Sequence, residues 1–252
     1  LTQQKGCRVF GVDIEEAALR KAAAHCERTL CGDVESPDWQ SGLGDARFDI
    51  ILCADIIEHL KDPQTFLAGL RDRIKTGGSL LASVPNGAHA AIRLELLQGQ
   101  LTYEDTGLLD RTHLHLYTHQ SLMALLASAG YAVEALSYTF HDIPDEVLAE
   151  KIRQAGLEPT ERALARLHAP EAIAYQFIVE ARPRAADEPT APFPELSDKP
   201  LRDSEEAYRK VHERLHETQQ VAQHRQTLLE NKERQVAHQQ QQVEHLQRQL
   251  AH

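Results

Sequence analysis

The sequence has little cysteine and no apolar run long enough to cross a membrane. It contains four cysteines and no CxxC pair, so neither a disulfide framework nor a cysteine-rich metal site is predicted. No stretch approaches the roughly 18 apolar residues of a membrane span, and no signal peptide is recognisable. We therefore expect a cytoplasmic protein without a membrane span. Since the first residue is Leu1 and not methionine, we also expect that a natural start is missing.

Basic and aromatic residues are also scarce. Lysine and arginine together number 27 against 38 acidic residues, which gives a formal net charge of −11, and aromatic residues make up 5%. Nonspecific binding to nucleic acid or to anionic lipid needs a positive field, so neither partner is expected. Hydrophobic residues still reach 42%, which is enough for a sizeable core.

The apolar residues are distributed unevenly, and this predicts three parts. Residues 1–182 hold most of them and are expected to form one globular domain. Residues 183–200 are rich in proline, alanine and acidic side chains, so a disordered linker is predicted. Residues 201–252 repeat an apolar residue every seven positions, which is typical of one seam of a coiled coil. That seam consists of Leu201, Tyr208, Leu215, Ala222, Leu229, Val236, Val243 and Leu250.

The second seam of this tail is mostly polar and includes Arg225, Lys232 and Gln239. A homodimer through residues 201–252 is therefore expected to be modest, and a single solvated helix remains the alternative.

The stretch FDIILCADIIEHLKDP, residues 48–63, organises the rest of the chain. Phe48 to Ala54 is a short apolar run without alternation, which favours an interior strand of a parallel sheet. Asp55, Glu58 and His59 follow it directly. Open α/β sheets bind ligands at the carboxyl ends of their strands, so we expect chemistry here.

Three further segments give this stretch its context: RVFGVDI (residues 8–14), GDVES (residues 32–36) and KTGGSLLASVPN (residues 75–86). With residues 48–63, their order and spacing resemble the class I S-adenosylmethionine (SAM) dependent methyltransferases. The branch that resembles quinone O-methyltransferases and glycan-associated methyltransferases is the most similar. The resemblance spans residues 8–183 and implies an α/β, Rossmann-like, doubly wound and mostly parallel sheet.

A cofactor site follows from this resemblance. A carboxylate that ends the second strand of such a unit accepts hydrogen bonds from the ribose hydroxyls, and Asp13 has that position. The resemblance assigns the adenine amino group to Asp33 and the adenine ring to the backbone of Val34. Ile14, Cys53 and Ala54 complete the predicted SAM site. The alternatives are that Asp13 only caps the following helix and that Asp33 is an ordinary turn residue.

One part of the family pattern is missing. These enzymes open with a strand and a glycine-rich turn that approaches SAM, and nothing before Arg8 supplies either. A truncated sequence and a degenerate protein are the two explanations, and the retained Asp13 and Asp33 favour truncation. A degenerate protein would be a noncatalytic adaptor that assembles partners through its tail.

The methyl group of SAM is already activated, so the protein has to align an acceptor and remove its proton. His59 is the first candidate base, and His113, in an insertion after Asn86, is the second. The preferred interpretation has no metal, with Asp55, Glu58 and His59 as the alternative ligands of Mg²⁺. We expect methyl transfer to an oxygen of a small-molecule or glycan-type acceptor.

Overall fold

The computed structural model describes residues 6–36, 38–185 and 187–197. These residues divide into two compact units, which are considered separately. The first contains residues 6–11 and 16–30, and the second contains residues 12–15 and the described residues from Cys31 onward. The predicted tail, residues 201–252, lies outside the described residues, as do residues 186 and 198–200 of the predicted linker.

Two short strands and a helix lie at the start of the described chain. They are β1 (Phe10–Asp13), α1 (Glu16–Ala22) with a following 3₁₀ turn (Ala23–His25), and β2 (Arg28–Cys31). The two strands form a sheet of their own. Glu27 N donates to Val9 O (2.8 Å) and Gly32 N donates to Asp13 O (3.0 Å). The bonds advance in the same direction along both strands, so β1 and β2 are parallel and their carboxyl ends lie side by side.

The second unit is built on a four-stranded sheet. Its strands are β3 (Phe48–Ala54), β4 (Ile74–Pro85), β5 (Tyr131–Phe140) and β6 (Ala174–Pro183). Their order is β3-β4-β6-β5. β3 and β4 are parallel, whereas β6 runs antiparallel to both β4 and β5. The α/β class is as predicted. β3, β4 and β5 run in the same direction and β6 alone is reversed, so the sheet is mixed but its strands are mostly parallel, as the resemblance implies.

Six helices of the second unit follow strands or the insertion. They are α2 (Pro63–Arg71), α3 (Ala90–Leu97), α4 (His119–Ser128), α5 (Asp145–Gln154), α6 (Glu161–Leu167) and α7 (Pro170–Ile173). Side chains begin several of them. Asp62 accepts from Thr65 N at the start of α2, and Thr118 forms a capping box with Ser121 at the start of α4. These caps fix where each helix leaves the sheet.

The core lies between the sheet, α2 and α4. Leu67 of α2, Leu122 and Leu126 of α4 and Phe177 of β6 are fully buried in one cluster. A side chain of this kind stabilises the fold by roughly 1.5–3 kcal/mol when it leaves water. Tyr131 is buried as well, and its hydroxyl donates to Leu67 O (2.9 Å). Packing in the core therefore fixes the position of β3 and of the residues that follow it.

The apolar run from Ser79 to Val84 predicts that β4 begins at Ser79, after two glycines that are typical of a turn. The structure begins it at Ile74, and a register shift relative to β3 accommodates the glycines. Gly77 has a φ of +77°, and a Cβ on Gly78 would lie 2.6 Å from Asp49 O. Glycine is therefore required at these two positions because the strand bulges there, and not only because glycine favours turns.

Residues 184–185 and 187–197 run without helix or strand over the second unit. His119 Nε2 lies 2.9 Å from Pro194 O, and Tyr138 donates its hydroxyl proton to Ser197 O (2.7 Å). Leu196 packs against the core. This segment falls in the predicted linker. Its contacts with the second unit are made by individual side chains, and the composition of the segment does not predict them. Within the described part of the chain, no helix is both long enough and apolar enough to cross a membrane.

Candidate active site

The residue that ends β3 is strained. Asp55 has a φ of +52° and is the single non-glycine residue in the described chain with a positive φ. Its carboxylate accepts hydrogen bonds from Gln176 Nε2 (2.5 Å) and Ser83 Oγ (3.4 Å), so it is held by β4 and β6. Backbone strain of this kind concentrates at functional sites. The turn at Asp55 directs the chain into the next segment, a 3₁₀ turn at Ile57–His59.

Glu58 lies in that 3₁₀ turn and is fully buried. Neither of its carboxylate oxygens has a hydrogen-bond partner among the described residues. Burial raises the pKa of this carboxyl to about 7, and the nearby charge of Asp55 adds to the increase. Burying a carboxylate without a partner costs free energy. A bound proton, a cation or a ligand that donates a hydrogen bond would therefore stabilise this group.

The insertion between β4 and α4 closes over Glu58. Leu114 N and His115 N donate to Glu58 O at 2.8 and 3.1 Å. At the base of the insertion Gly87 N donates to Tyr117 O (2.8 Å), and a Cβ on Gly87 would lie 2.7 Å from Leu116 Cβ. These bonds bring the far end of the insertion against the end of β3.

Two histidines flank the Glu58 carboxylate. His59 Nδ1 lies 3.1 Å from Thr112 O, and His113 Nδ1 lies 3.1 Å from Leu108 O. A carbonyl oxygen only accepts, so each Nδ1 carries a proton and donates it. The two rings meet edge to face with centroids 4.9 Å apart, and His59 Nε2 is 4.0 Å from Glu58 Oε1. Both predicted catalytic histidines thus meet at one place.

The same three side chains are arranged as a metal site could be. One ligand atom from each of Glu58, His59 and His113 lies within 4.8 Å of the other two. The buried, unpartnered oxygens of Glu58 and one ring nitrogen of each histidine fit a divalent cation. The alternative ligand set from the sequence is Asp55, Glu58 and His59. In the structure His113 joins Glu58 and His59, and Asp55 Oδ1 accepts from Gln176 and Ser83.

The predicted nucleoside carboxylates lie at the ends of the short parallel strands. Asp13 Oδ1 accepts from Glu15 N (2.8 Å), and Asp33 Oδ1 accepts from Glu35 N (2.9 Å). Each carboxylate therefore stabilises its own turn, as the alternatives to a cofactor role require. The second oxygen of each carboxylate can accept further hydrogen bonds.

The other predicted cofactor residues differ in exposure. Ile14 is 68% exposed although it is apolar, whereas Val34 packs against the core. Ala54 is exposed at the end of β3. Cys53 is buried, which raises the pKa of its thiol to about 12. Its side chain belongs to the core, so only its backbone is placed to contact a ligand.

Glu35 connects the two halves of the site, and sequence reasoning missed it. Its carboxylate oxygen Oε1 accepts from Lys61 N (2.6 Å) and Asp62 N (3.0 Å). The loop that carries Asp33 and Val34 is therefore fastened to the turn that carries His59. No local pattern indicates this contact, because Glu35 is 26 and 27 residues from its two partners in the sequence.

Tyr117 was also missed, whereas His115 is a further histidine of the insertion that could act as a base. Tyr117 is buried, and this burial together with the Glu58 charge raises the pKa of its phenol to about 12. His115 packs 5.7 Å from it, centroid to centroid, and its buried Nε2 has no partner among the described residues. The sequence does show that His113, His115 and Tyr117 alternate along the insertion.

Comparisons with known proteins identify relatives of this chain. A family model described as "Methyltransferase domain" matches residues 1–136. A ubiquinone biosynthesis O-methyltransferase of Coxiella burnetii is 36% identical over 89 residues, which is 32% of this chain and 36% of the relative. One with the same name from Cereibacter sphaeroides is 25% identical over 164 residues, or 62% of this chain and 54% of the relative. The chain thus spans from about a third to about half of these curated relatives.

Solved structures show related folds at low identity. A SAM-dependent methyltransferase from Archaeoglobus fulgidus is 15% identical, with a TM-score of 0.48 over 71% of this chain and 78% of its own. A methyltransferase from Bacillus halodurans is 18% identical, with a TM-score of 0.45 over 71% of this chain and 84% of its own.

Proposed function

Because the chain belongs to the methyltransferase domain family, we propose that it transfers a methyl group from SAM to an oxygen of a small-molecule or glycan-type acceptor. The observation that carries this proposal is the joined site described above. Glu35 fastens the Asp33 loop to the turn that holds Glu58 and His59. A cofactor loop and a cluster of proton-accepting groups are thus held in one unit.

The cofactor roles are assigned by position. The free oxygen of Asp13 accepts from the ribose hydroxyls of SAM, and that of Asp33 accepts from the adenine amino group. Ile14 offers an exposed apolar side chain to the adenine ring. These roles remain proposals supported by the parallel β1–β2 pair, which brings the two carboxylates to the same end of the sheet.

Activation of the acceptor falls to the histidines. The sulfonium of SAM already makes the methyl group a good electrophile, so the protein has to align the acceptor hydroxyl and accept its proton. His59 is the first proton acceptor because its Nδ1 donates to Thr112 O, which orients the ring, and the Nε2 of a neutral imidazole in this tautomer can accept a proton. His113 is held in the same way by Leu108 O and is the second.

Transfer to oxygen is favoured by the relatives, since those of Coxiella burnetii and Cereibacter sphaeroides are both named O-methyltransferases. The acceptor class stays open between a phenolic small molecule and a sugar. The cytoplasmic location and the absence of a nucleic-acid partner stay predictions from the sequence.

The proposal is tested by incubating the protein with SAM and three acceptor probes, namely catechol, methyl α-mannoside and benzylamine. Release of S-adenosylhomocysteine and the mass of the product are measured. We expect an O-methylated product from catechol or from the sugar. The proposal would be contradicted if benzylamine alone were methylated. It would also be contradicted if protein that binds SAM gave no product from any of the three probes.

A further inference from the structure

We infer that His89 is a positioning residue for the insertion between β4 and α4, because it fastens α3, the first helix of the insertion, to the chain that follows β5. The inference rests on the proposed function in one respect, which is that the insertion shapes the acceptor pocket. Its main test measures the exchange of backbone amides and requires neither SAM nor turnover.

The first step concerns buried polar side chains at the entry to the insertion. Among the described residues, the polar or charged side chains that are fully buried are those of Glu58, Asn86 and His89. Asn86 and His89 lie between the end of β4 and the start of α3. Asn86 Nδ2 donates to Ala174 O (2.7 Å) and to Glu171 O (3.0 Å). Buried hydrogen bonds of this kind are costly to break, so they fix the base of the insertion.

The second step concerns the two ring nitrogens of His89. Nδ1 accepts from Ala91 N (3.2 Å) and caps α3, and Nε2 donates to His141 O (2.8 Å). An amide N–H only donates and a carbonyl only accepts, so the imidazole is neutral with its proton on Nε2. Serine, threonine, aspartate and asparagine are the usual residues at this position, and they satisfy the helix alone. The second nitrogen of histidine extends further, so one side chain joins α3 to the chain after β5.

The third step concerns the path from His89 to the candidate base His113. The ring of Tyr175 meets that of His89 edge to face, with centroids 5.6 Å apart. The hydroxyl of Tyr175 lies 3.8 Å from the position that a Cβ on Gly107 would take. The next residue, Leu108, accepts from His113 Nδ1 (3.1 Å). His89 thus packs against the ring that contacts the loop by which His113 is oriented.

The fourth step concerns protonation. A second ring proton on His89 would face the amide proton of Ala91 and remove the cap. Burial lowers the pKa of His89, and the bond to His141 O opposes this decrease. The two hydrogen bonds are therefore complete above the unfolded pKa of about 6.5, and the cap weakens as the pH falls below it. The titratable and charged groups that face His89 are Arg93 on α3, His141 and Asp142 after β5, and Tyr175 on β6.

The test is hydrogen exchange of the full chain, followed by mass spectrometry at about pH 7.5, above the titration range of histidine. His89→Asn keeps an oxygen that accepts from Ala91 N but ends short of His141 O. We expect residues 103–113 to exchange about fivefold faster or more, while α3 stays protected. His89→Gln keeps a donor at the reach of Nε2 but loses the cap, so α3 itself should exchange about fivefold faster. The control His25→Asn alters an exposed histidine after α1 and should exchange as the parent does.

A pH series separates the imidazole from a cap that does not titrate. Between about pH 7.5 and pH 5, and after correction for the intrinsic exchange rate, the first turn of α3 in the parent should lose about threefold or more of its protection. His89→Asn should show no such loss. With an acceptor that the parent methylates, His89→Asn should raise the KM of this acceptor by about fivefold and leave the affinity for SAM unchanged.

Circular dichroism of each variant establishes that it is folded. Parental exchange of residues 103–113, or a parental acceptor KM, in folded His89→Asn would overturn the inference. The pH series of the parent needs no variant, and constant protection of α3 across it would also overturn the inference, as would an equal loss in His89→Asn. The predicted exchange in a protein that methylates no oxygen would instead count against the proposed function alone.

Discussion

At the scale of single residues, this site contains polar side chains whose hydrogen bonding is incomplete among the described residues. Among the described residues Glu58 has no donor for its carboxylate, and burial raises its pKa to about 7. His59 and His113 each have one ring nitrogen held by a backbone carbonyl. The sequence indicated His59 and His113 as candidate bases but did not predict their contact. That contact depends on how the insertion folds back, which no local pattern encodes.

The first prediction concerns His59. If His59 removes the proton of the acceptor substrate, or holds the group that activates this substrate, His59→Ala should lower kcat by about 100-fold. The affinity for SAM should stay close to that of the parent. Turnover and calorimetric SAM titrations of the same preparations give the two values. A variant whose lost rate follows entirely from a lower melting temperature would show that the role of His59 is structural.

Elements were predicted well where local signals agree. Tyr131 to Phe140 alternates after a helix closed by Gly130, which predicts a strand, and β5 occupies these residues. Pro159 predicts a break between two helices, and α5 and α6 are separated there. The start of β4 was missed because Gly77 and Gly78 are typical of a turn, and only pairing with β3 continues the strand through them. Residues 15–27 predict one helix, but α1 is shorter and is followed by a 3₁₀ turn.

A second prediction concerns the contact between the start of α5 and the end of α6. His168, which follows α6, has Nδ1 2.7 Å from Asp142 Oδ1 and Nε2 2.6 Å from Asp145 Oδ1. Both nitrogens can donate only in the imidazolium, so these bonds, that of Asp145 first, raise the pKa of His168. Its contribution is therefore complete below the unfolded pKa of about 6.5 and is lost as the pH rises through the higher folded value.

Thermal unfolding of the parent and of His168→Gln at a series of pH values measures this contribution. The parent should be more stable than the variant by roughly 0.2–1 kcal/mol at acidic pH, since the groups are partly exposed. The difference should shrink at alkaline pH. Parallel profiles for the two proteins across this range would contradict the assignment.

At the scale of the whole molecule, the described chain is an α/β protein in two units. The order of strands and helices was predictable because each apolar run is bounded by glycine, proline or a cap. The contacts of residues 187–197 with His119 and Tyr138 were not, since they rest on isolated side chains within a proline-rich segment. The tail, residues 201–252, keeps its sequence prediction.

The third prediction concerns this tail. Pairing of its apolar seam would hide side chains that a single glutamine-rich helix exposes, so we expect a modest dimer. Leu215→Lys with Leu229→Lys should yield monomers and leave SAM binding unchanged, because the proposed cofactor residues all lie within residues 1–182. Sedimentation equilibrium at tens of micromolar measures the mass. A monomeric parent would rule out the dimer.

The central claim is that the protein is a methyltransferase whose SAM site includes Asp13 and Asp33, and calorimetric titration with SAM tests it most directly. We predict one SAM per chain for the parent and about ten- to a hundredfold weaker binding by Asp13→Ala and by Asp33→Ala, which is the loss of roughly 1.5–3 kcal/mol in a charge-assisted hydrogen bond. Asp45→Ala, an exposed carboxylate elsewhere, should bind as the parent does. A folded parent that binds no SAM, or folded Asp13→Ala and Asp33→Ala variants with parental affinity, would contradict the account.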